Sequence, residues 1–554
     1  MQNLNRSSVR RAIVAVSLAF ICKGFFYATV IPIWEGYDEY EHLAFIQHLA
    51  IHHDLPTPDT KVSHEIDRSL ELAPLPWELR YLPAPHVIHD LFWKLPSHER
   101  LQRRHELLAI PRQWQSESGT TLLYEGKQGP LYYWLMWPLY RIVEEMTLPN
   151  RVFVFRIVNI LLGSLLISIG FVTTNAIFGD ERIGIAVSAL IAAMPELYMD
   201  AFRIGNQTLT IVLYSLFTLF CLKCVDGKVR YLPAAGTTLG LLLITRAYSI
   251  AAVPALLLTA LRAAWRARID ERKYVFRLSA EAVAAAVLIA GWWYVRNLRM
   301  VGSIIWYDAS PTQPLGLADI ARHALKVHWR SAFASLFGSH IWFGNWTFLS
   351  LRSWMYQVFE YAALLSLVGL IITVIRNLKS ASSENAKIFV LVTIYGGFLL
   401  AIAYHILMNS INVGVDASAG WYLYSVVAAE TILFVADMLA FRRGKAIVAT
   451  IVVFFFLLEM YATHFLIIPY YTGLIAHAPN GGLQSFHISQ LATISMKELL
   501  ARLEINRASL VTDPTLIILW CLFLAASALL PHTAVAALYD RFPIRARPEG
   551  LQKP

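Results

Sequence analysis

Charge is what this sequence has least of. Asp, Glu, Lys and Arg make up 15% of the 554 residues, against about 25% in soluble domains. With 57% hydrophobic residues, that scarcity excludes an ordinary water-soluble fold. Cysteine is scarce too. Cys22, Cys221, Cys224 and Cys521 all sit in apolar runs, which excludes a disulfide scaffold and makes the Cys221–Cys224 pair a packing feature rather than a redox or zinc motif. No small-residue cleavage site follows the first apolar run, which carries Lys23, so no cleavable signal peptide is expected. An internal repeat relating two halves is also missing.

Apolar runs near membrane-crossing length are abundant. They fall at 12–31, 152–176, 183–200, 206–223, 231–244, 246–261, 278–296, 355–375, 388–408, 420–439, 446–468 and 514–538. The formal charge of +9 would point to nucleic acid in a soluble protein. Here the basic residues gather in short loops instead, chiefly 261–277, RNLKSASSENAK, FRRGK, the tail RFPIRAR and the N-terminal Arg6, Arg10 and Arg11. That is the pattern of cytoplasmic loops, and it places both termini inside if about twelve runs cross. PLYYWLMWPLYRIVEEM (130–146) breaks that parity if it crosses. Its Tyr and Trp content fits an interfacial or re-entrant helix, with a thirteen-span bundle as the competitor. The expected fold is an all-α polytopic membrane bundle of about 12–13 helices in one domain, 1–554. Three long loops, 32–151, 297–354 and 469–513, then share the outer face. MKELLARLE (496–504) in the third reads as a short amphipathic helix.

The densest ionisable stretch opens the first of these loops: WEGYDEYEHLAFIQHLAIH, 34–52. Asp38, Glu39, Glu41 and His42 precede Leu43, Ile46 and Ala50 at helical spacing, which predicts an amphipathic surface helix. Acidic groups at a helix start are favoured by the macrodipole, so a solvated cap explains the cluster as well as catalysis does. Asp38 and His42 stand at i, i+4, a spacing able to chelate a divalent metal, but no third ligand is evident.

A membrane span followed by a DE pair opening a surface helix resembles the first outer loop of the C-type (GT-C) glycosyltransferases. More narrowly it is similar to the bacterial branch related to protein mannosyltransferases and the lipid A aminoarabinose transferase. YEGKQGPLYYWLMWPLY (124–140) resembles that family's HPPLYY segment, FRIGNQTLTIVLYSL (202–216) its Asn-Asp segment, and LLLITRAYSIAAVPALLL (241–258) its basic residue between two helices. WYVRNLRMVGS (293–303) and AGWYLYSVVAAE (419–430) are similar to its late stretches. Three positions depart from the pattern: Gln128-Gly129 stands for His-Pro, Gln207 for Asp and Trp421 for Arg.

The resemblance implies transfer of a sugar from a polyprenyl-phosphate carrier to a glycan, lipid or protein acceptor. The site would face the periplasm of a bacterial inner membrane. A single inverting displacement needs one carboxylate to take the acceptor proton; Asp38 is the expected base, with Glu39 as the substitute. The departing lipid phosphate needs cations rather than an acid, and Arg grips phosphate oxygens in pairs. Arg246, in a turn between two short runs, is favoured for that role. Arg203, Lys127 and Arg296, with His42 and Asp200, complete the expected donor-phosphate region, although each cation also fits snorkelling to headgroups. Buried Glu430 and Glu459 read as helix–helix contacts. A transporter or flippase of lipid-linked sugars is the competing class, disfavoured by the missing repeat and by long loops on one face.

Single cysteines introduced between residues 54 and 120 are expected to react with a membrane-impermeant maleimide added outside the cell. Labelling only after the membrane is opened would overturn the sidedness.

Overall fold

The computed structural model describes residues 6–306, 316–377, 383–487, 489–490 and 494–539. The basic tail RFPIRAR and residues 378–382 of RNLKSASSENAK lie outside the described residues. Among the described residues, ten helices are long and apolar enough to cross a membrane, from Ser7–Val30 to Asp513–Leu538. Each matches one of the twelve apolar runs, and the two remaining runs differ from expectation for physical reasons. The run at 183–200 is broken: Glu181–Ala193 and Pro195–Phe202 meet at 69°, because Pro195 cannot continue the ladder of the preceding helix. The run at 231–244 forms Leu232–Leu243, only 12 residues. At 1.5 Å per residue it spans about 18 Å, short of a hydrocarbon core of about 30 Å.

The segment that upset the parity forms the helix Leu131–Val143, 13 residues with Pro138 inside. Its length of about 20 Å does not span a bilayer. Tyr132, Tyr133, Met136 and Tyr140 face inward, while Leu135 and Ile142 are exposed. Trp134 stacks on Trp292 of the Arg272–Val301 helix, with ring centroids 5.6 Å apart. It therefore lies against the end of a span.

The connections expected outside converge at one end of the bundle. Arg296 Nη2 donates to the Pro56 carbonyl at 2.6 Å, Asn150 Nδ2 to Ser509 Oγ at 2.9 Å, and Tyr470 Oη to Asp90 at 2.7 Å. Between the first two spans, short helices alternate with two small two-stranded sheets, Lys61–Ser63 on Ser118–Leu122 and Pro74–Leu75 on Val87–Ile88. MKELLARLE forms the start of Met496–Asn506, capped by Ser495 Oγ, which accepts from the Glu498 amide at 3.1 Å. At the opposite end Lys387 pairs with Asp226 at 2.9 Å.

Within the bundle, Lys23 and Glu459 are fully buried and 3.0 Å apart. Lys23 also donates to the Ala192 carbonyl at 2.9 Å, and Glu459 accepts from Tyr27 and Ser527. Both charges are thus met by partners, as their cost in an apolar interior requires. Glu459 is a helix–helix contact, and Glu430 reaches His340 Nε2 at 3.0 Å in the same role.

Candidate active site

The helix predicted from 34–52 forms as Glu39–His52, but it is not an amphipathic surface helix. Ten of its 14 residues are buried, including Glu39, Glu41 and His42. The Leu131–Val143 helix covers it: Phe45 stacks on Tyr133 at 3.7 Å and His42 Nδ1 lies 2.8 Å from Tyr133 Oη. An acidic helix start has thus been taken out of water, where each charge needs a stated partner.

Glu39 has its partners. Arg156 grips it bidentately, Nε to Oε1 at 2.8 Å and Nη2 to Oε2 at 2.6 Å. The Trp34 and Ile204 amides also donate to it, at 3.1 and 3.2 Å. Arg156 spends its remaining donors on the Ile31 and Pro32 carbonyls, at 2.6 and 2.8 Å. Glu39 therefore ties the loop after the first span to the Leu148–Phe178 helix and to the 203–206 turn. With four donors already on its oxygens, it is poorly placed to accept a substrate proton.

Asp38 differs from its neighbour in every respect. It occupies the N-cap position in the left-handed region, φ 54°, which Asp tolerates, yet its side chain makes no cap hydrogen bond. Asp38 is half-buried, and its carboxylate lies within electrostatic reach of Arg203, Arg246 and Lys127. Burial raises its proton affinity and those three cations oppose the rise.

Two carboxylates that sequence reasoning missed as site residues complete the cluster, Glu41 and Glu125. Both are buried, and each leaves Oε2 without a hydrogen-bond partner. Burial first, then Asp38, pushes Glu41 up to about 8 and Glu125 to about 7. Glu125 lies in the quoted YEGKQGPLYY stretch, two residues before Lys127, so proximity to a chosen cation was the available signal. His42 Nε2 is also without a partner. Burial, followed by Arg246 and Arg203, holds the imidazole well below its ordinary value and so neutral. Among the described residues no group of three or more His, Cys, Asp or Glu side chains is arranged to hold a metal.

The cations divide sharply. Arg203 pairs with Asp200 at 2.6 Å and donates to the Tyr37 carbonyl at 2.8 Å. Lys127 lies over the Tyr124 ring at 3.1 Å. Arg296 is held at Pro56 and over Trp293. Arg246 is buried and bonded only to neutral groups: Nε donates to Asn206 Oδ1 at 2.5 Å and Nη1 to Gln207 Oε1 at 3.0 Å. Of the buried arginines, Arg151, Arg156, Arg203 and Arg507 each meet a carboxylate. No ion pair is recorded for Arg246 among the described residues.

The three departures from the family pattern have local causes. A Cβ at Gly129 would stand 2.2 Å from the Ile244 carbonyl oxygen, the same oxygen that accepts the Leu131 amide at 3.1 Å; only glycine fits that approach. Gln207 accepts from both Arg246 and Tyr248. Trp421 stacks on Tyr37 with centroids 3.9 Å apart.

Residues 127–294 match the family model described as dolichyl-phosphate-mannose-protein mannosyltransferase. That segment contains Lys127, Arg156, Arg203 and Arg246. No curated protein sequence matches the chain. The chain is similar to a crystal structure of ArnT from Cupriavidus metallidurans bound to undecaprenyl phosphate, at 13% identity and TM-score 0.46 over 97% of this chain and 79% of that one. The apo form of ArnT gives 12% and 0.47 over 97% and 78%. Archaeal oligosaccharyltransferase AglB from Archaeoglobus fulgidus, with an inhibitory peptide and a dolichol-phosphate, gives 12% and 0.40 over 94% and 56%.

The raised carboxyls make the stability of the fold decrease as pH rises. Glu41 and Glu125 hold protons in the fold at pH values where the unfolded chain, with an ordinary value of 4.5, has lost them. Stability from this source is complete below about 4.5 and is lost as pH rises through about 7 to 8. Glu41→Gln fixes the neutral form. Its thermal unfolding in detergent is expected to depend less on pH than the wild type between about pH 5 and about pH 8; an unchanged slope would show that Glu41 ionises freely in the fold.

Proposed function

We propose that the chain is an inverting transferase that moves a sugar from a polyprenyl-phosphate carrier to an acceptor hydroxyl at the periplasmic face of a bacterial inner membrane. The observation that carries the reading is the pairing of opposites at one site. Arg246 is a buried cation bonded only to neutral amides, and Asp38 is a carboxylate within its electrostatic field that is not consumed as a helix cap. A lipid phosphate supplies the anion that Arg246 lacks, and an acceptor hydroxyl supplies the proton that Asp38 takes.

In the proposed step the acceptor oxygen attacks the anomeric carbon as the bond from that carbon to the phosphate oxygen breaks. The electron pair leaves with the polyprenyl phosphate, and the hydroxyl proton goes to Asp38. A phosphate leaves already ionised, so no general acid is required; the guanidinium of Arg246 stabilises the charge as it develops. Arg203 and Lys127 act at longer range, Arg203 weakened by its pair with Asp200. His42 contributes as a neutral imidazole. Glu39 has the role of positioning residue through Arg156, and Arg296, held at Pro56, stands apart from the donor phosphate. The family match over 127–294 supports sugar transfer; the sugar and the acceptor are left open by this reading.

Asp38→Asn keeps size and removes basicity. Turnover with a polyprenyl-phosphate sugar is expected to fall by about 10²–10⁴, the usual cost of a lost general base, with donor binding retained. Activity near wild type in Asp38→Asn would remove the base.

Arg246→Ala is expected to raise the KM for the lipid donor and lower kcat, with Arg246→Lys recovering part of both because a point charge replaces a fork. Unchanged donor kinetics in a folded Arg246→Ala protein would eliminate this arginine as the phosphate ligand.

A further inference from the structure

The end of the bundle opposite the candidate site carries a basic face that the proposed reaction leaves unused. A small buried cluster organises it. Cys224 and Leu232 pack with Ala263, Val275 and Leu278, which brings the turn Val229–Tyr231 against the ends of the spans Ala247–Arg266 and Arg272–Val301. The longer span fixes the depth of this face. Its 30 residues extend about 45 Å, well beyond a hydrocarbon core of about 30 Å. Trp292 and Trp293 mark one interface, as Trp does at headgroup level, close to Arg296 at the Pro56 carbonyl. About 30 Å back along the helix from Trp293, at 1.5 Å per residue, stands Lys273. Lys273 and its neighbours therefore lie among the headgroups of the second leaflet.

Lys228, Arg230, Arg266, Arg272 and Lys273 are all exposed there. The carboxylates nearby are already engaged. Lys387 holds Asp226 at 2.9 Å, Arg268 holds Asp270 at 3.4 Å, and Glu271 accepts from the Arg268 amide at 3.3 Å. Tyr231 registers the surplus of positive charge. Lys223 Nζ lies 4.7 Å and Arg230 Cζ 5.4 Å from its ring centroid, and Lys223 first, then Arg230 and Lys228, hold the phenol below its ordinary value. Arg262 and Arg266, one helical turn apart, add two like charges on the adjacent span. Two large apolar side chains turn outward beside these cations: Trp265 is 77% exposed and Phe276 76%. Exposed cations with apolar rings among them, at headgroup depth, match an anionic membrane surface.

We propose that this face docks the anionic phospholipid headgroups of the leaflet opposite the candidate site. Lys228, Arg230, Arg266 and Lys273 meet the lipid phosphates, and Trp265 and Phe276 sit at the boundary between headgroups and acyl chains. A choline headgroup carries its own cation and offers these side chains no net charge. Arg246 directly precedes the Ala247–Arg266 span, so docking at Arg266 sets the depth at which that arginine stands.

The test uses the purified full-length chain in neutral detergent, titrated separately with dioleoylphosphatidylglycerol and dioleoylphosphatidylcholine, with bound lipid counted by native mass spectrometry. The glycerol lipid is expected to bind saturably and the choline lipid only weakly. The double variant Arg230→Gln/Arg266→Gln, at two exposed positions, is expected to bind the glycerol lipid about 25-fold less tightly, about fivefold for each cation removed from the surface. Arg230→Lys/Arg266→Lys, which keeps the charge, is expected to bind nearly as wild type. Lys326→Gln/Arg330→Gln, which removes two exposed cations from the 297–354 loop, is expected to leave the affinity unchanged. Equal binding of both lipids, wild-type affinity in Arg230→Gln/Arg266→Gln, or an equal loss in the two glutamine variants would overturn the proposal. So would displacement of the glycerol lipid by an equal concentration of inorganic phosphate, which would show that the face takes a free anion and not a lipid.

Discussion

The bidentate pair between Glu39 and Arg156 is the interaction on which the active end depends. It is buried on both sides, and a buried pair is worth keeping only when the rest of its hydrogen-bonding capacity is met. Here the carboxylate takes two amides besides the guanidinium, and the guanidinium takes two carbonyls of the loop just beyond the first span. Removing one partner of such a pair costs about 3–5 kcal/mol, because the survivor is left charged in an apolar interior. The bond fixes the rotation at which Glu39–His52 leaves the loop. Asp38, one residue earlier, is thereby directed toward Arg246 and Lys127 and away from the framework that Glu39 occupies.

A second layer steadies the same loop. Glu35 accepts from Thr347 at 2.8 Å and lies 2.9 Å from His89 Nε2. Glu196 receives Tyr37 Oη together with the Phe343 and Gly344 amides. Residues from four distant parts of the chain thus converge on 35–39. A Cβ at Gly36 would stand 2.7 Å from Arg203 Cβ, so glycine is what allows the loop to lie against the 203–206 turn. Preorganisation of this kind lets a carboxylate and a cation keep their separation without reorganising during reaction.

Much of this was legible from the sequence. Hydropathy located the spans because lipid forces each one to be apolar along its length, and periodicity found the 39–52 helix because its spacing is local. Short motifs singled out Asp38 and Arg246, which the fold brings within electrostatic reach of one another. What the sequence hid depends on distant partners. Nothing near Glu39 announces Arg156, 117 positions away, so the two acidic neighbours looked interchangeable. Burial of most of the 39–52 helix depends on a cover supplied by residues 131–143, whose own location the charge pattern left open. Glu41 and Glu125 were passed over for the same reason: a carboxylate becomes unusual only when another is folded against it. The short helix at 232–243 shows the converse, since its apolar run was visible but the position of its ends was not.

The departures from the family pattern end up strengthening one part of the reading. Asp at position 207 would place a negative charge against Arg246, making it another neutralised arginine like Arg203 with Asp200. Gln207 keeps the acceptor oxygen, at 3.0 Å, and removes the charge. Asn206 does the same on the other side of the guanidinium. Geometry is therefore fixed by two amides rather than by a direct ion pair, and Asp38 and Glu125 meet the charge only at longer range. Arg151, Arg156 and Arg203 hold the fold because their charge is already answered. In the proposed reading Arg246 binds because its hydrogen bonds go to neutral amides and leave its charge for an incoming phosphate.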